Sequence, residues 1–259
     1  MATATTQPIL ENGQVQELLS LLKESDATTR AALVSVLAHI GKMETQYESM
    51  VAELSGMRQT LAEAERQRHP IKNAMQSTII AAQSRLLDFR DTLVELKQTI
   101  INGCRTAIAA VQETGVSALN HVAEFLKIRP MLEKMQNSAD KNISMCDRRI
   151  AETRTMSEEY HKAGRHLKNI GRAFLGKEPI QEAKPMGKLA GAHIRYLQSE
   201  RAGYAKTKDR VGSALDCLKR LEDRAAGRRS IKAELQEYKQ TAQAQKPTPT
   251  HAPPSTDVR

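Results

Sequence analysis

Between Leu33 and Ala64, apolar side chains recur at alternating steps of three and four residues without a gap. This spacing is the heptad pattern of a coiled-coil helix, whose apolar stripe packs against a neighbouring helix. A helix over 28–66 is a rod of roughly 55–60 Å. The pattern predicts an elongated helical protein rather than a compact globule. The candidate oligomer seam within it consists of Leu33, Val36, Ile40, Met43, Tyr47, Met50, Leu54, Met57 and Leu61.

Composition and the remaining apolar pattern extend the helical prediction to the rest of the chain. Trp is absent, Phe occurs three times and 27% of residues are charged, so the apolar side chains belong to narrow stripes. A second stripe runs from Met75 to Ile100 beyond Pro70, a short amphipathic piece covers 116–126, and a third long helix follows Pro130. We predict an all-α fold, namely an elongated antiparallel helical bundle or coiled coil.

Five segments follow from the distribution of Gly, Pro and charge. The chain begins with a flexible N-terminus (1–13), followed by a helical coiled-coil bundle (14–175). GKEPIQEAKPMGK, with two Gly and two Pro, predicts a linker at 176–188. A basic C-terminal helix is expected at 189–240. The Pro-, Thr- and Ala-rich end (241–259) has too little apolar surface to fold alone, so we expect a disordered tail.

The seam of 33–61 permits two arrangements. It either pairs with the same seam of a second copy or another protein, or it packs inside the chain against the helix that follows Pro70. The first arrangement makes the chain a non-enzymatic helical scaffold or protein-interaction protein that oligomerises through the seam. This is the leading hypothesis from the sequence.

Net charge is +9 and unevenly placed, with −5 over residues 1–65 and +11 over 161–259. The basic half suits an acidic partner, such as DNA, an anionic surface or the chain's own acidic half. An alternative function is therefore a nucleic-acid-binding accessory protein that uses 161–232. The candidate polyanion-binding residues are Lys162, Arg165, His166, Lys168, Arg172, Lys177, Lys219, Arg220, Arg228 and Arg229.

Helix 160–175 is amphipathic, with Tyr160, Leu167 and Phe174 on one face and basic residues on the opposite arc. Such a helix can pack its apolar face into a core and leave the basic arc in solvent. It can also follow a phosphate backbone or lie on a membrane surface. Peripheral membrane association through this helix is the third hypothesis.

The last helix carries an apolar stripe that Arg201 and Lys208 interrupt. Tyr196 and Tyr204 have the ring faces on which nucleic-acid bases stack. Their spacing along the apolar stripe favours a place in the core.

GRAFLGKE (residues 171–178) has the Gly and Lys spacing of a phosphate-binding loop. Such a loop follows a strand and opens a helix, whereas here a helical pattern precedes the glycine. Position 178 is Glu instead of the Ser or Thr that binds magnesium. We interpret Gly176 as a left-handed helix cap and Pro179 as the residue that prevents continuation.

Other chemical motifs are missing from the sequence. The three cysteines, Cys104, Cys146 and Cys217, are scattered, and no pair of histidines has the i, i+4 spacing of a helical metal site. No nucleophile motif is present. We expect no catalytic residue, no metal, no cofactor and no small-molecule substrate, and hence no enzyme.

The cellular location is predicted from the targeting signals that the sequence lacks. The start, MATATTQPILENGQ, lacks the basic and apolar regions of a secretory signal, and no run of 18 apolar residues predicts a transmembrane segment. An odd number of scattered cysteines fits a reducing compartment. We expect a cytoplasmic protein.

The chain resembles an uncharacterised all-helical family associated with integrative conjugative elements of Gram-positive gut bacteria. The similar stretches are PILENGQVQELLSLLKE, GKMETQYESMVAEL, VSALNHVAEFLKI (116–128) and AGRHLKNIGRAFLGKE (163–178). The resemblance covers residues 9–225 and implies no established activity, ligand or site. It implies a mobile-element setting, in which DNA and the transfer machinery are the partners to consider.

Overall fold

The structure, a computed structural model, describes residues 7–25, 27–63, 71–114, 127–182 and 186–244. These residues contain no strand, so the predicted all-α class is confirmed. The predicted piece at 116–126 lies outside them, as does the tail from 245 onward. The helical elements are a 3-10 turn (Ile9–Glu11), α1 (Gly13–Ser25), α2 (Ala27–Glu63), α3 (Ile71–Thr114), α4 (Arg129–Phe174) and α5 (Lys188–Ala244).

The four long helices form an antiparallel bundle in which α2 and α4 each contact both α3 and α5. Successive contacts run in opposite sequence directions on neighbouring helices. The contacts that show this are Arg58–Gln83 and Tyr47–Phe89 between α2 and α3, Gln46–Arg210 and Ser35–Cys217 between α2 and α5, and Asp140–Lys208 and Asp147–Arg201 between α4 and α5. The predicted antiparallel return at Pro70 matches this arrangement.

Two apolar clusters fill the bundle, one in each half. Helix α1 covers the first cluster, at the end where α2 begins and the described part of α3 finishes. The segment expected to be flexible, 1–13, is packed from residue 7 onward. Ile9 is fully buried in this cluster, and Lys97 Nζ donates to the carbonyl oxygen of Gln7 (2.7 Å).

The seam of 33–61 lies inside the chain's own bundle. Seven of its nine residues are buried, while Tyr47 and Leu61 are half-buried against the second cluster. The apolar stripes of α3 and α5 supply the neighbours that a second copy would otherwise provide. In this fold, therefore, the seam is not exposed for oligomerisation.

Helices α2 and α5 approach closely at Gly203. A Cβ atom at this position would lie 2.9 Å from Met50 Cγ and 3.2 Å from Gln46 Nε2. Because both neighbours are themselves packed, we expect Gly203→Leu to lower the free energy of unfolding by about 1–3 kcal/mol. Urea denaturation measures this loss.

Gly56 on α2 provides the matched control, because a Cβ built there has nothing within 4 Å. Gly56→Leu should leave stability unchanged or raise it by up to about 1 kcal/mol through better helix propensity. If Gly203→Leu proved as stable as Gly56→Leu, the close approach of α2 and α5 would be disproved.

Candidate interaction surface

Helix α4 extends beyond the part of the bundle that buries it. Its buried side chains end at Ser157, close to the level where Thr153 Oγ1 lies 3.3 Å from His193 Nδ1 near the start of α5. Residues 158–174 continue as helix for about 25 Å past that level. We call residues 158–182, the helical end together with the segment after it, the projecting arm.

The helix of the arm ends in a glycine cap. Gly176 has a left-handed φ of 66°, and its N–H donates to the carbonyl oxygen of Ala173 (3.1 Å). The N–H of Lys177 donates to the carbonyl oxygen of Arg172 (2.9 Å), which completes a Schellman motif. GRAFLGKE is therefore a helix end, as its sequence predicts, and not a phosphate-binding loop.

Side chains of the helix hold the segment 175–182 against one side of the arm. Asn169 makes two hydrogen bonds with the backbone of Ile180, accepting at Oδ1 (2.7 Å) and donating from Nδ2 (3.1 Å). Arg172 and Arg165 each donate to one further carbonyl oxygen of the segment, at 2.6 and 3.4 Å. These bonds tie the segment to the helix.

The apolar face of the arm is uncovered. The exposed fraction is 72% for Leu167 and 87% for Phe174, and Tyr160, Ile170 and Leu175 are also exposed. One of the three arrangements that the sequence allows, in which this face packs into the core, is therefore wrong for the arm. Clustered exposed apolar side chains of this kind are typical of interaction sites. We call these five residues the arm stripe.

The predicted polyanion-binding residues of the arm fall into two groups. Lys162, His166, Lys168 and Lys177 are exposed, although Lys162 Nζ also lies 2.7 Å from a carboxylate oxygen of the neighbouring Glu159. The other two, the arginines that bind segment 175–182, are half-buried. Only the first group is available to a partner without disturbing the arm.

The remaining predicted basic residues lie elsewhere. Lys219 and Arg220 are exposed on α5, roughly 45 Å along the helix from Lys188. Arg228 and Arg229 are on α5 too, but the described side chains end before them. The structure therefore does not bring the ten candidates together into one patch.

The core contains a buried ion pair that no sequence motif indicates. Arg85 Nη2 of α3 lies 2.6 Å from Glu200 Oε1 of α5, and Glu200 is 3% exposed. Burial, with Glu200 nearby, raises the pKa of the Tyr204 hydroxyl above its ordinary value. A cavity of about 60 Å³ borders Glu200, far below the roughly 300 Å³ of a typical small-molecule pocket. The pair is thus a core element rather than a ligand site.

Reactive groups are also withdrawn from solvent. All three cysteines are buried, and burial raises the pKa of Cys104 and Cys146 to about 12, so both thiols are protonated at neutral pH. The described part of the chain has no group of three or more His, Cys, Asp or Glu placed to hold a metal ion. None of the described helices has a stretch that could cross a membrane.

Comparison with known proteins identifies a family but no characterised relative. No curated protein and no solved structure matches the chain. The sequence matches the family of unknown function DUF6674 over residues 11–256. Because this match covers nearly the whole sequence, the chain belongs to the DUF6674 family.

Proposed function

We propose that this chain is a non-enzymatic, cytoplasmic interaction protein that uses its bundle as a rigid base and presents the projecting arm to a partner. The observation that carries the proposal is the exposed arm stripe, above all Leu167 and Phe174. Leaving such side chains in water forgoes about 1.5–3 kcal/mol each, which a partner would recover by covering them.

The construction of the arm supports a binding role. A glycine cap and the hydrogen bonds of Asn169, Arg165 and Arg172 hold the helix and segment 175–182 together before any partner arrives. A surface ordered in advance loses less conformational entropy on binding. The resemblance noted above suggests the transfer machinery of a mobile element as a setting in which to look for the partner.

The two alternative functions have partial support. Exposed Lys162 and Lys168 suit a nucleic acid, but the basic residues of 161–232 are split between distant parts of the molecule. Peripheral membrane association agrees with the combination of arm stripe and cations. Salt-dependent DNA binding and vesicle co-sedimentation respectively measure these alternatives.

The double variant Leu167→Ser/Phe174→Ser tests the proposed function. Both side chains are exposed, so we expect unchanged helicity and thermal unfolding. Affinity capture from cells that express the protein should retain specific proteins on the wild type and lose them on the variant. Losing these two side chains from the interface, at about 1.5–3 kcal/mol each, corresponds to at least roughly a hundredfold weaker binding.

Helix α3 offers a matched control, because Ile80 is 70% exposed and Leu87 is 42% exposed. Ile80→Ser/Leu87→Ser makes a similar change in surface composition away from the arm, and it should retain the same proteins as the wild type. Identical retention by the arm variant and the wild type would refute the proposed function.

A further inference from the structure

The arm stripe continues the face of α4 that packs beside α3. Inside the bundle, Arg149 Nη1 lies 3.5 Å from Ser77 Oγ of α3, and Met145 lines a cleft with residues of α3. Seven residues after Arg149 comes Met156, and steps of three or four residues then lead through Tyr160 and Ala163 to Leu167, Ile170 and Phe174. Residues at these steps share one helix face. The stripe therefore faces the space that α3 would fill if α3 began several turns before Ile71.

The side of the arm that continues the α5-facing side of α4 is already covered by segment 175–182. Within the bundle, Asp140 and Asp147 of α4 pair with Lys208 and Arg201 of α5, each at 2.6 Å. The same face, continued along the arm, holds the side chains that bind segment 175–182. That segment thus occupies the side of α5, whereas no described residue covers the stripe on the side of α3.

A single helix suits this side of the arm better than a flat membrane does. A flat bilayer lying along the stripe would extend over the bundle, where α3 begins at Ile71 on the same side of α4, and the bundle would limit how closely the bilayer approaches. A helix, with a diameter of about 10–12 Å, fits in line with α3 without that restriction. The residues just before α3, AERQRHP (64–70), contain no Val, Leu, Ile, Met or Phe with which to cover the stripe.

The charge of the arm indicates which kind of partner helix would bind beside the stripe. Between Tyr160 and Phe174 the sequence has four Lys or Arg and no Asp or Glu. On a helical wheel Lys162 and Lys168 lie beyond the two edges of the stripe, each about 80° from the nearest helical residue of the stripe, so only their long side chains reach its borders. The arm of a second copy would set like charges against each other, which weakens pairing, whereas acidic side chains beside an apolar face would complement them.

We propose that the arm binds an acidic amphipathic α-helix of a partner protein, which lies along the arm stripe in line with α3. This inference rests on the function proposed above and names the class of partner. The apolar residues of the partner helix cover Leu167, Ile170 and Phe174. Its Asp or Glu side chains lie at the borders of the stripe, within reach of Lys162 and Lys168. Gly164 and Gly171, with open space where a Cβ would stand, allow the two backbones to approach.

A synthetic peptide of about three heptads tests the proposal, with Leu and Ile on one face and Glu beside it. Fluorescence anisotropy with the full chain should show binding that weakens at least about tenfold in Leu167→Ser/Phe174→Ser. Ile80→Ser/Leu87→Ser should bind as the wild type does. A peptide of the same composition in scrambled order should not bind.

Charge reversal makes the test specific. Lys162→Glu/Lys168→Glu should lose the Glu peptide and gain a peptide in which Lys replaces Glu. If the scrambled peptide bound equally well, or if arm-dependent binding appeared only with anionic vesicles, duplex DNA or a second copy, the acidic-helix proposal would be overturned. The proposed function would still stand if Leu167→Ser/Phe174→Ser lost the proteins that the wild type captures. Both proposals would fail if this variant captured the same proteins as the wild type.

Discussion

Glu200→Leu is expected to destabilise the fold by about 3–5 kcal/mol, one of the largest effects that a single substitution should have in this chain. The carboxylate of Glu200 is 3% exposed, and Oε1 lies 2.6 Å from Arg85 Nη2. Removing it leaves the guanidinium of Arg85 in a largely buried position without its counter-charge. Urea denaturation with a two-state fit measures the loss.

The double variant Arg85→Met/Glu200→Leu separates the cost of an unpaired charge from the value of the pair. Replacing both charges by apolar side chains of similar length removes the unpaired cation, so most of the lost stability should return. A double variant no more stable than Glu200→Leu would show that the expected loss does not come from the unpaired Arg85.

Local spacing was sufficient to predict the helices. The steps of three and four from Leu33 onward predict α2, Pro70 marks the break before α3, and Gly176 with Pro179 marks the end of α4. Each of these sequence signals determines the conformation of only the few residues around it. The helical class and the antiparallel return therefore follow from the sequence alone.

The polar interior could not be predicted in the same way. Arg201 and Lys208 were expected to interrupt the apolar stripe of the last helix, but their side chains are 45% and 42% exposed. Their neighbours Glu200 and Thr207 are the buried residues. Neighbouring residues point about 100° apart around a helix. An error of one position in the assumed buried face therefore predicts a surface residue as buried and a buried residue as exposed.

The arm also depends on information that no local pattern contains. Its stripe has the same spacing as the core stripe of α4 up to Ile150, so both resemble core in the sequence. Only the register between helices determines where the cover ends. Buried polar contacts specify such registers in helical assemblies. We infer that Arg85–Glu200 and the contact of Lys97 with Glu44 help to fix the position of α3, and thereby the length of α4 that remains uncovered.

Stability is also expected to fall on mild acidification, because the bundle buries a neutral histidine. His193 is 1% exposed, with Nε2 3.0 Å from Thr78 Oγ1 and Nδ1 beside Thr153. Burial disfavours the imidazolium, and the positive charge of Arg149 adds to this, so the pKa of His193 is lowered from 6.5 to about 4.

The sign of the pH effect follows from proton binding. Below about pH 6.5 the unfolded chain binds a proton at His193, whereas the folded chain does not until about pH 4. The stabilisation from the neutral, buried ring is therefore complete above pH 6.5. It is lost as the pH falls to 4, by up to about 3 kcal/mol. Urea denaturation at a series of pH values measures this slope.

His193→Gln tests the assignment, because Gln keeps hydrogen-bonding groups near both threonines but does not titrate. The variant should show a flatter dependence of unfolding free energy on pH between 6.5 and 5, whereas His166→Gln on the exposed arm should match the wild type. A smaller slope should persist in His193→Gln, because burial and the charges of Lys42 and Arg210 also lower the pKa of His39. An unchanged slope in His193→Gln would show that another group carries the acid sensitivity.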